Sequence, residues 1–148
     1  MNMLLAMFLK KEIAVRVVYA FALASLVGLP AVAVGQSPLK SEDLVGRWGV
    51  TAYWNEADAA RMIAQARGFC SQPYVITRGP GGGAVMFEPF DGKRREMRVS
   101  GNQIIAADGE SRSTKSISSW NGQALVFSYD EEEAKRKYGN MVFVKCGR

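Results

Sequence analysis

Apolar and polar positions after residue 45 recur mainly with the period of two that is typical of β-strands. Turn signals rich in Gly, Asn and Asp separate the apolar segments, at residues 79–83, 91–92, 101–102, 108–109 and 121–122. The pattern predicts a mainly β fold. We expect a small antiparallel β-barrel or meander of about eight strands, with one amphipathic helix after the first strand.

Two segments depart from this period. The first predicts a helix that Asn55 caps and Gly68 ends. Its apolar residues fall on one helical face: Ala59, Met62, Ile63, Ala66 and Phe69. The second predicts a short helix that begins at Asp130, where Glu133 completes a capping box, and that ends at Gly139.

The N-terminal segment has the layout of a signal peptide. Three basic residues flank an apolar run, Val17–Leu29: Lys10, Lys11 and Arg16. Small residues after Pro30 offer cleavage after Ala33 or after Gly35. We therefore expect residues 1–35 to be removed and residues 36–148 to form a single domain, in the periplasm or secreted. The alternative is an uncleaved membrane anchor, for which the apolar stretch is marginal in length.

The two cysteines, Cys70 and Cys146, are most simply read as one disulfide if the chain is exported. Such a bridge would tie the C-terminal strand to the end of the first helix. A reactive thiol pair would need a close C-x-x-C spacing, which these positions lack.

The composition argues against several chemistries. Without histidine the chain has no Ser-His-Asp or Cys-His catalysis and lacks the commonest zinc ligand. We expect no enzyme, no catalytic residue, no metal and no cofactor. The mildly basic charge gives no reason to expect nucleic acid as a partner. Within the basic run after Gly92, strand alternation points Arg95 inward with Met97, where a charge needs a partner or a ligand.

The triplet Gly46-Arg47-Trp48 at the first strand, with a meander behind it, resembles the Gly-x-Trp signature of lipocalins and related calycin barrels. The resemblance implies that Trp48 packs across the closed end of the barrel. It also implies that a basic residue near the last strand, Lys145 or Arg148, packs on the Trp48 ring. The helix between the first two strands departs from the usual lipocalin plan.

These observations support three functional hypotheses. The first is an exported, lipocalin-like protein that binds a small apolar ligand in a cavity lined by five residues: Trp54, Tyr74, Phe87, Arg95 and Trp120. A barrel of this size can equally be filled by its own side chains. The second is a protein-binding module of the envelope, such as a protein resembling periplasmic protease inhibitors or an assembly factor, that uses an exposed strand edge or residues 36–44 for contact. A carboxylate-based hydrolase is the third.

Overall fold

The computed structural model describes residues 37–147, so the predicted signal segment lies outside the described residues. Eight antiparallel strands form a closed barrel in which each strand pairs with the next and the last pairs with the first. The strands are β1 (Gly46–Tyr53), β2 (Tyr74–Arg78), β3 (Ala84–Glu88), β4 (Lys93–Ser100), β5 (Gln103–Ala106), β6 (Lys115–Trp120), β7 (Ala124–Tyr129) and β8 (Asn140–Lys145). The predicted fold class is confirmed.

The barrel has two ends of different character. At one end β1 begins and β8 finishes, and a 3-10 turn, Ser41–Leu44, lies just before β1. This end, which we call the apolar end, contains Leu44 and Trp48 of the core cluster, and the partly buried Trp120 packs against them. At the other end β3 and β7 finish and β6 begins. This end, which we call the charged end, contains Glu88 and Lys115.

Trp48 is the centre of the apolar end. Its ring is fully buried and lies 6.0 Å from Phe143 and 6.4 Å from Trp120, measured between centroids. Its indole Nε1–H donates to the carbonyl of Leu44 at 2.8 Å, so its one polar group is satisfied. The ammonium of Lys145 lies 5.7 Å from the Trp48 ring centroid, which is the basic contact that the sequence resemblance implied.

Helix α1 (Ala59–Ala66) packs on the outer face of β1 and β8. Met62 and Ile63 contact a second apolar cluster that includes Val142 and Val144. The helix approaches β1 so closely that a Cβ at Gly49 would lie 1.9 Å from the carbonyl oxygen of Ala66. Only glycine fits at this position.

The first predicted helix is broken into three pieces. Asn55 caps a 3-10 turn, Glu56–Asp58, by accepting from the Ala57 amide, and α1 follows it. The chain then continues past Gly68 as a second 3-10 segment, Arg67–Ser71. The tighter 3-10 winding rotates Phe69 off the apolar face. Phe69 is 46% exposed, so its predicted place on that face is wrong.

The disulfide between Cys70 and Cys146 is present, as predicted. It joins the segment after α1 to the residue that follows β8, and it closes a loop with a sequence separation of 76. The bridge therefore holds α1 against the barrel wall beside the apolar end.

Helix α2 (Glu132–Tyr138) lies between β7 and β8 and ends at Gly139, as predicted. The predicted capping residue was wrong: Glu131, not Asp130, accepts from the amides of Glu133 and Ala134. Asp130 is not available for this role because its carboxylate accepts from Ser116 Oγ at 2.6 Å and Gln103 Nε2 at 3.0 Å.

Candidate functional site at the charged end of the barrel

Strand alternation carries two charged side chains into the barrel. On β3, Ala84, Met86 and Glu88 point inward, and on β6 Lys115 points inward two residues before Ile117. Glu88 is 0% exposed and Lys115 is 1% exposed. Charges this deep are uncommon because removing them from water is costly.

The two charges meet directly. Lys115 Nζ donates to Glu88 Oε1 at 2.7 Å and to the backbone carbonyl of Ser113 at 2.7 Å. The same ammonium lies 4.8 Å from the ring centroid of Tyr129. The pair is thus held by two short hydrogen bonds and one aromatic face.

Burial dominates the titration of this pair. It raises the pKa of the Glu88 carboxyl, and the nearby Lys115 partly offsets that rise. Burial likewise lowers the pKa of Lys115, against the effect of Glu88. The pKa of Tyr129 is raised by burial and by the charge of Glu88. Perturbed groups that lie this close together titrate as a unit and are typical of functional sites.

Several buried polar atoms around this pair have no hydrogen-bond partner within residues 37–147. They are Glu88 Oε2, Ser113 Oγ, Arg95 Nε and Arg95 Nη1. The Tyr129 hydroxyl faces the Glu88 carboxylate, and their interaction lowers the pKa of Glu88. An unsatisfied buried polar group costs about 1–3 kcal/mol. A cluster of them at one place therefore indicates a position where another molecule, water or ligand, completes the network.

Arg95 brings the second cation to this end. Its side chain is 9% exposed, and its Nη2 lies 2.8 Å from Asp91 Oδ2 and 3.8 Å from Glu110 Oε2. Its Nε lies 3.4 Å from Asp108 Oδ2, without hydrogen-bond geometry. The inward direction predicted for Arg95 agrees with this burial. The carboxylates draw the guanidinium toward the rim of the barrel.

Aromatic residues surround the charged end. Tyr138 of α2 packs against Tyr129 with the rings tilted by 48° and their centroids 5.6 Å apart. Phe90, in the turn after β3, lies beneath the guanidinium groups of Arg95 and Arg112, at 5.8 and 4.9 Å. A cleft of about 70 Å³ runs between this turn and α2. Its lining residues are Phe90, Arg112, Glu131, Glu133, Ala134, Lys137 and Tyr138.

The structure separates the five residues predicted to line a ligand cavity. Arg95 and Tyr74 lie near Glu88. The Tyr74 hydroxyl accepts from the Phe87 amide at 2.6 Å. The pKa of Tyr74 is raised by burial and, to a smaller extent, by Glu88. Trp120 lies at the apolar end. Trp54 and Phe87 are 65% and 44% exposed, and they lie outside the barrel. They do not line its interior.

Sequence reasoning missed Glu88, Ser113, Lys115 and Tyr129. The sequence contained a usable signal for Glu88 and Lys115. Glu88 follows Ala84 and Met86 at the inward period, and Lys115 precedes Ile117 at the same period. Two inward charges of opposite sign on different strands suggest a buried pair.

The fold and this site define a closed eight-stranded antiparallel β-barrel with a polar cluster buried in one end. Comparison of the chain with protein-family models, with curated proteins and with solved structures gives no match. Within residues 37–147, no helix has the length and apolar character needed to cross a membrane. The same residues contain no group of three or more acidic or cysteine side chains placed to hold a metal ion.

Proposed function

We propose that the chain is an exported, non-enzymatic binding protein of the lipocalin-like kind. It binds one small, mainly apolar ligand that carries a hydrogen-bonding group. The ligand binds at the charged end of the barrel. The observation that carries the proposal is the cluster of unpaired buried polar atoms on Glu88, Ser113 and Arg95. Binding pockets typically combine an apolar lining with a few convergent polar groups.

The unpaired atoms indicate which hydrogen-bonding groups the ligand carries. Glu88 Oε2 accepts a hydrogen bond, Arg95 donates, and the Ser113 hydroxyl does either. A hydroxyl, amide or protonated carboxyl group on the ligand satisfies both kinds of partner. The body of the ligand contacts the aromatic rings of Phe90, Tyr129 and Tyr138.

The filled interior limits the size of the ligand. Trp48, Met86, Met97 and Phe127 are each at most 2% exposed, and they occupy the barrel below the charged end. A long acyl chain that runs down the axis would have to displace them. The ligand therefore binds at the rim by its polar group, and any chain that it carries lies along the cleft beside α2 rather than down the axis.

The lipocalin-like assignment rests on the apolar end. Gly46 begins β1, Trp48 packs across the barrel, and Lys145 covers its ring. The Cys70–Cys146 disulfide fits an oxidising compartment, and the signal-like residues 1–35 supply a route to it. The lack of histidine supports a binding role over catalysis.

A displacement titration tests the proposal. The oxidised chain from residue 36 onward is titrated with the fluorescent apolar amine N-phenylnaphthylamine, and decanol, decanoic acid and decane then compete. We expect saturable binding near one equivalent, with decanol a better competitor than decane, because only decanol carries a polar group. A folded protein that gives no saturable signal would contradict the proposal, and water would then complete the polar cluster.

Ser113→Ala and Ser118→Ala form a matched pair for this titration. Ser113 is buried at the site, whereas Ser118 is exposed on β6 toward the apolar end. We expect Ser113→Ala to weaken decanol competition about three- to tenfold, for a lost hydrogen bond of about 1 kcal/mol. Ser118→Ala leaves it unchanged. Equal effects of the two substitutions would place the ligand elsewhere.

A protein-binding role in the envelope is the second candidate, and one observation favours it. Val75 and Phe87 are 48% and 44% exposed on the outer face of β2 and β3. Their ladder neighbours are Arg47 on β1 and Arg94 on β4. Exposed apolar side chains beside arginines are typical of protein interfaces.

This candidate does not use the N-terminal segment as the sequence suggested. Leu39 and Leu44 are buried in the apolar end, and Ser41 Oγ accepts from the Val99 amide at 2.9 Å. Photo-crosslinking in cells tests the outer face, with the crosslinker at position 87 and a control at position 118, which is exposed on β6. A specific protein adduct at position 87 alone supports the role, and equal labelling at both positions contradicts it.

A further inference from the structure

A second site lies outside the barrel, around Trp54. This residue follows β1 directly, and its indole Nε1–H donates to the backbone carbonyl of Arg136 at 3.0 Å. One face of the indole packs on the backbone at Gly139, where an added Cβ would lie 3.0 Å from ring atom Cε2. Gly139 also has a φ of +64°, which glycine adopts at little cost. The ring is thus fixed in orientation.

The fixed ring is nevertheless 65% exposed. Tryptophan offers the largest apolar face of any side chain, and leaving it in water forgoes the stabilisation that its burial would give. Because the edge is hydrogen-bonded and one face lies on the backbone, the other face is available for a flat ligand. The ring forms one wall of a groove of about 230 Å³, lined also by Glu132, Lys135, Arg136, Gly139 and Asn140.

The other walls of the groove are polar and carry both signs of charge. Glu132 offers a carboxylate, while Lys135 and Arg136 offer donors. Asn140 Nδ2 donates to Glu56 Oε1 at 3.3 Å, which orients the amide with its oxygen free to accept. The two cations are matched by two carboxylates, Glu132 and the Glu56 that contacts Asn140, so the charges beside the ring balance and give a charged ligand of either sign little advantage. The groove suits a neutral ligand with one apolar face and a rim of hydroxyl groups.

We propose that the Trp54 groove binds a saccharide, with one pyranose ring stacked on the open indole face. The axial C–H groups of a pyranose form a flat apolar face, and its equatorial hydroxyl groups project from the edge. Stacked on Trp54, that edge reaches Glu132 and Asn140. The groove is smaller than the ~300–1,000 Å³ usual for drug-sized ligands, so it takes one ring of a chain and leaves the rest in solvent.

Indole NMR signals test this site independently of the charged end. Trp48, Trp54 and Trp120 each give one Nε1–H signal in the ¹⁵N-labelled, oxidised protein, and Trp54→Phe assigns that of Trp54. Triacetylchitotriose, cellotriose and maltotriose are added to about 10 mM, where a site with a Kd near 1 mM is almost saturated. We expect at least one of them to shift the Trp54 signal saturably and to leave the Trp48 signal in place. No shift with any of the three, or equal shifts of all indole signals, would overturn the proposal.

Three substitutions sharpen the test. Trp54→Ala and Phe69→Ala each remove one exposed aromatic ring, but Phe69 lies on the segment after α1. We expect Trp54→Ala to weaken trisaccharide binding, followed by the backbone amide shifts of Lys135 and Asn140, about tenfold, as for loss of an aromatic stacking partner. Phe69→Ala leaves it unchanged. Glu132→Ala, which keeps the ring, weakens binding about threefold to tenfold through a lost hydrogen bond. Unchanged binding in Trp54→Ala would contradict the site.

Ser113→Ala separates this site from the proposed function. Its side chain lies inside the barrel, so it alters decanol competition and leaves the trisaccharide shift intact. If Trp54→Ala weakened both trisaccharide binding and decanol competition, one groove would serve both ligands, and the saccharide site would not be separate.

Discussion

The two ends of the barrel solve the same packing problem in opposite ways. At the apolar end, a tryptophan with its one polar group satisfied packs between aromatic rings, and the ammonium of a lysine lies over its ring. At the charged end, a lysine and a glutamate are buried together and leave polar atoms unpaired. The first arrangement maximises stability. The second sacrifices stability, which is typical of a site where another molecule binds.

The largest effect is expected at the apolar end. Trp48→Ala removes a fully buried ring and leaves the Leu44 carbonyl without its donor. We expect the free energy of unfolding in guanidinium to fall by about 4–5 kcal/mol, the upper part of the range for such substitutions. A fall below about 2 kcal/mol, less than that range allows, would show that the apolar end is not the stabilising one.

Breaking the buried pair comes next. Lys115→Met leaves Glu88 buried without its partner, and we expect a loss of about 3 kcal/mol in unfolding free energy. This lies at the lower end of the range because burial already raises the pKa of Glu88, so that the carboxyl can take up a proton. The double variant Glu88→Leu/Lys115→Met removes both charges.

The double variant decides whether the pair exists for stability. We expect it to equal the unsubstituted protein or exceed it by up to about 4 kcal/mol, as apolar replacements of buried ion pairs do. It should also lose decanol competition. A double variant less stable than the unsubstituted protein would mean that the pair stabilises the fold.

A smaller effect is expected for the lysine at the apolar end. Lys145 Nζ lies 5.1 Å from the Trp120 centroid and is only partly buried. Lys145→Met keeps the length of the side chain and removes the charge, so we expect a loss of about 0.5–1 kcal/mol by chemical unfolding. A loss as large as that of Lys115→Met would remove the contrast between the two lysines.

The smallest effect is a local response to pH in the turn at residues 79–83. Backbone amides of Gly83 and Gly81 donate to the Glu96 carboxylate at 2.7 and 3.0 Å and lower its pKa. Because the folded pKa is depressed, this stabilisation is present above the ordinary value of 4.5 and is lost as pH falls through the folded pKa. We expect the Gly81 and Gly83 amide shifts to titrate below pH 4.5. A midpoint at or above that value would contradict the contact.

The barrel itself was predictable from the sequence. The period of two and the Gly-containing turns predicted its strands, and one helical segment predicted the helix after the first strand. The apolar end was also accessible, since Trp48 and Lys145 occupy positions that the Gly-x-Trp resemblance marks. These features depend on local pattern and on single residues.

The charged end was not predictable in the same way. Glu88 and Lys115 are 27 positions apart, and either one alone on an inward position looks like an error of register. Phe87 illustrates the opposite difficulty: its apolar character suggests the core, but the parity set by Met86 and Glu88 turns it outward. Trp54 lies beyond the last residue of β1, where alternation no longer applies. The orientation of these side chains depends on partners that are distant in sequence and on where each strand ends.

A titration of backbone amide shifts tests the central claim, that the charged end is the ligand-binding end. The ¹⁵N-labelled, oxidised protein is titrated with N-phenylnaphthylamine, and shift changes are mapped on the barrel. We predict that the largest changes cluster at residues 88–95, 110–115 and 129–138. Changes concentrated around Trp48 and Trp120, or no changes in a folded protein, would contradict it.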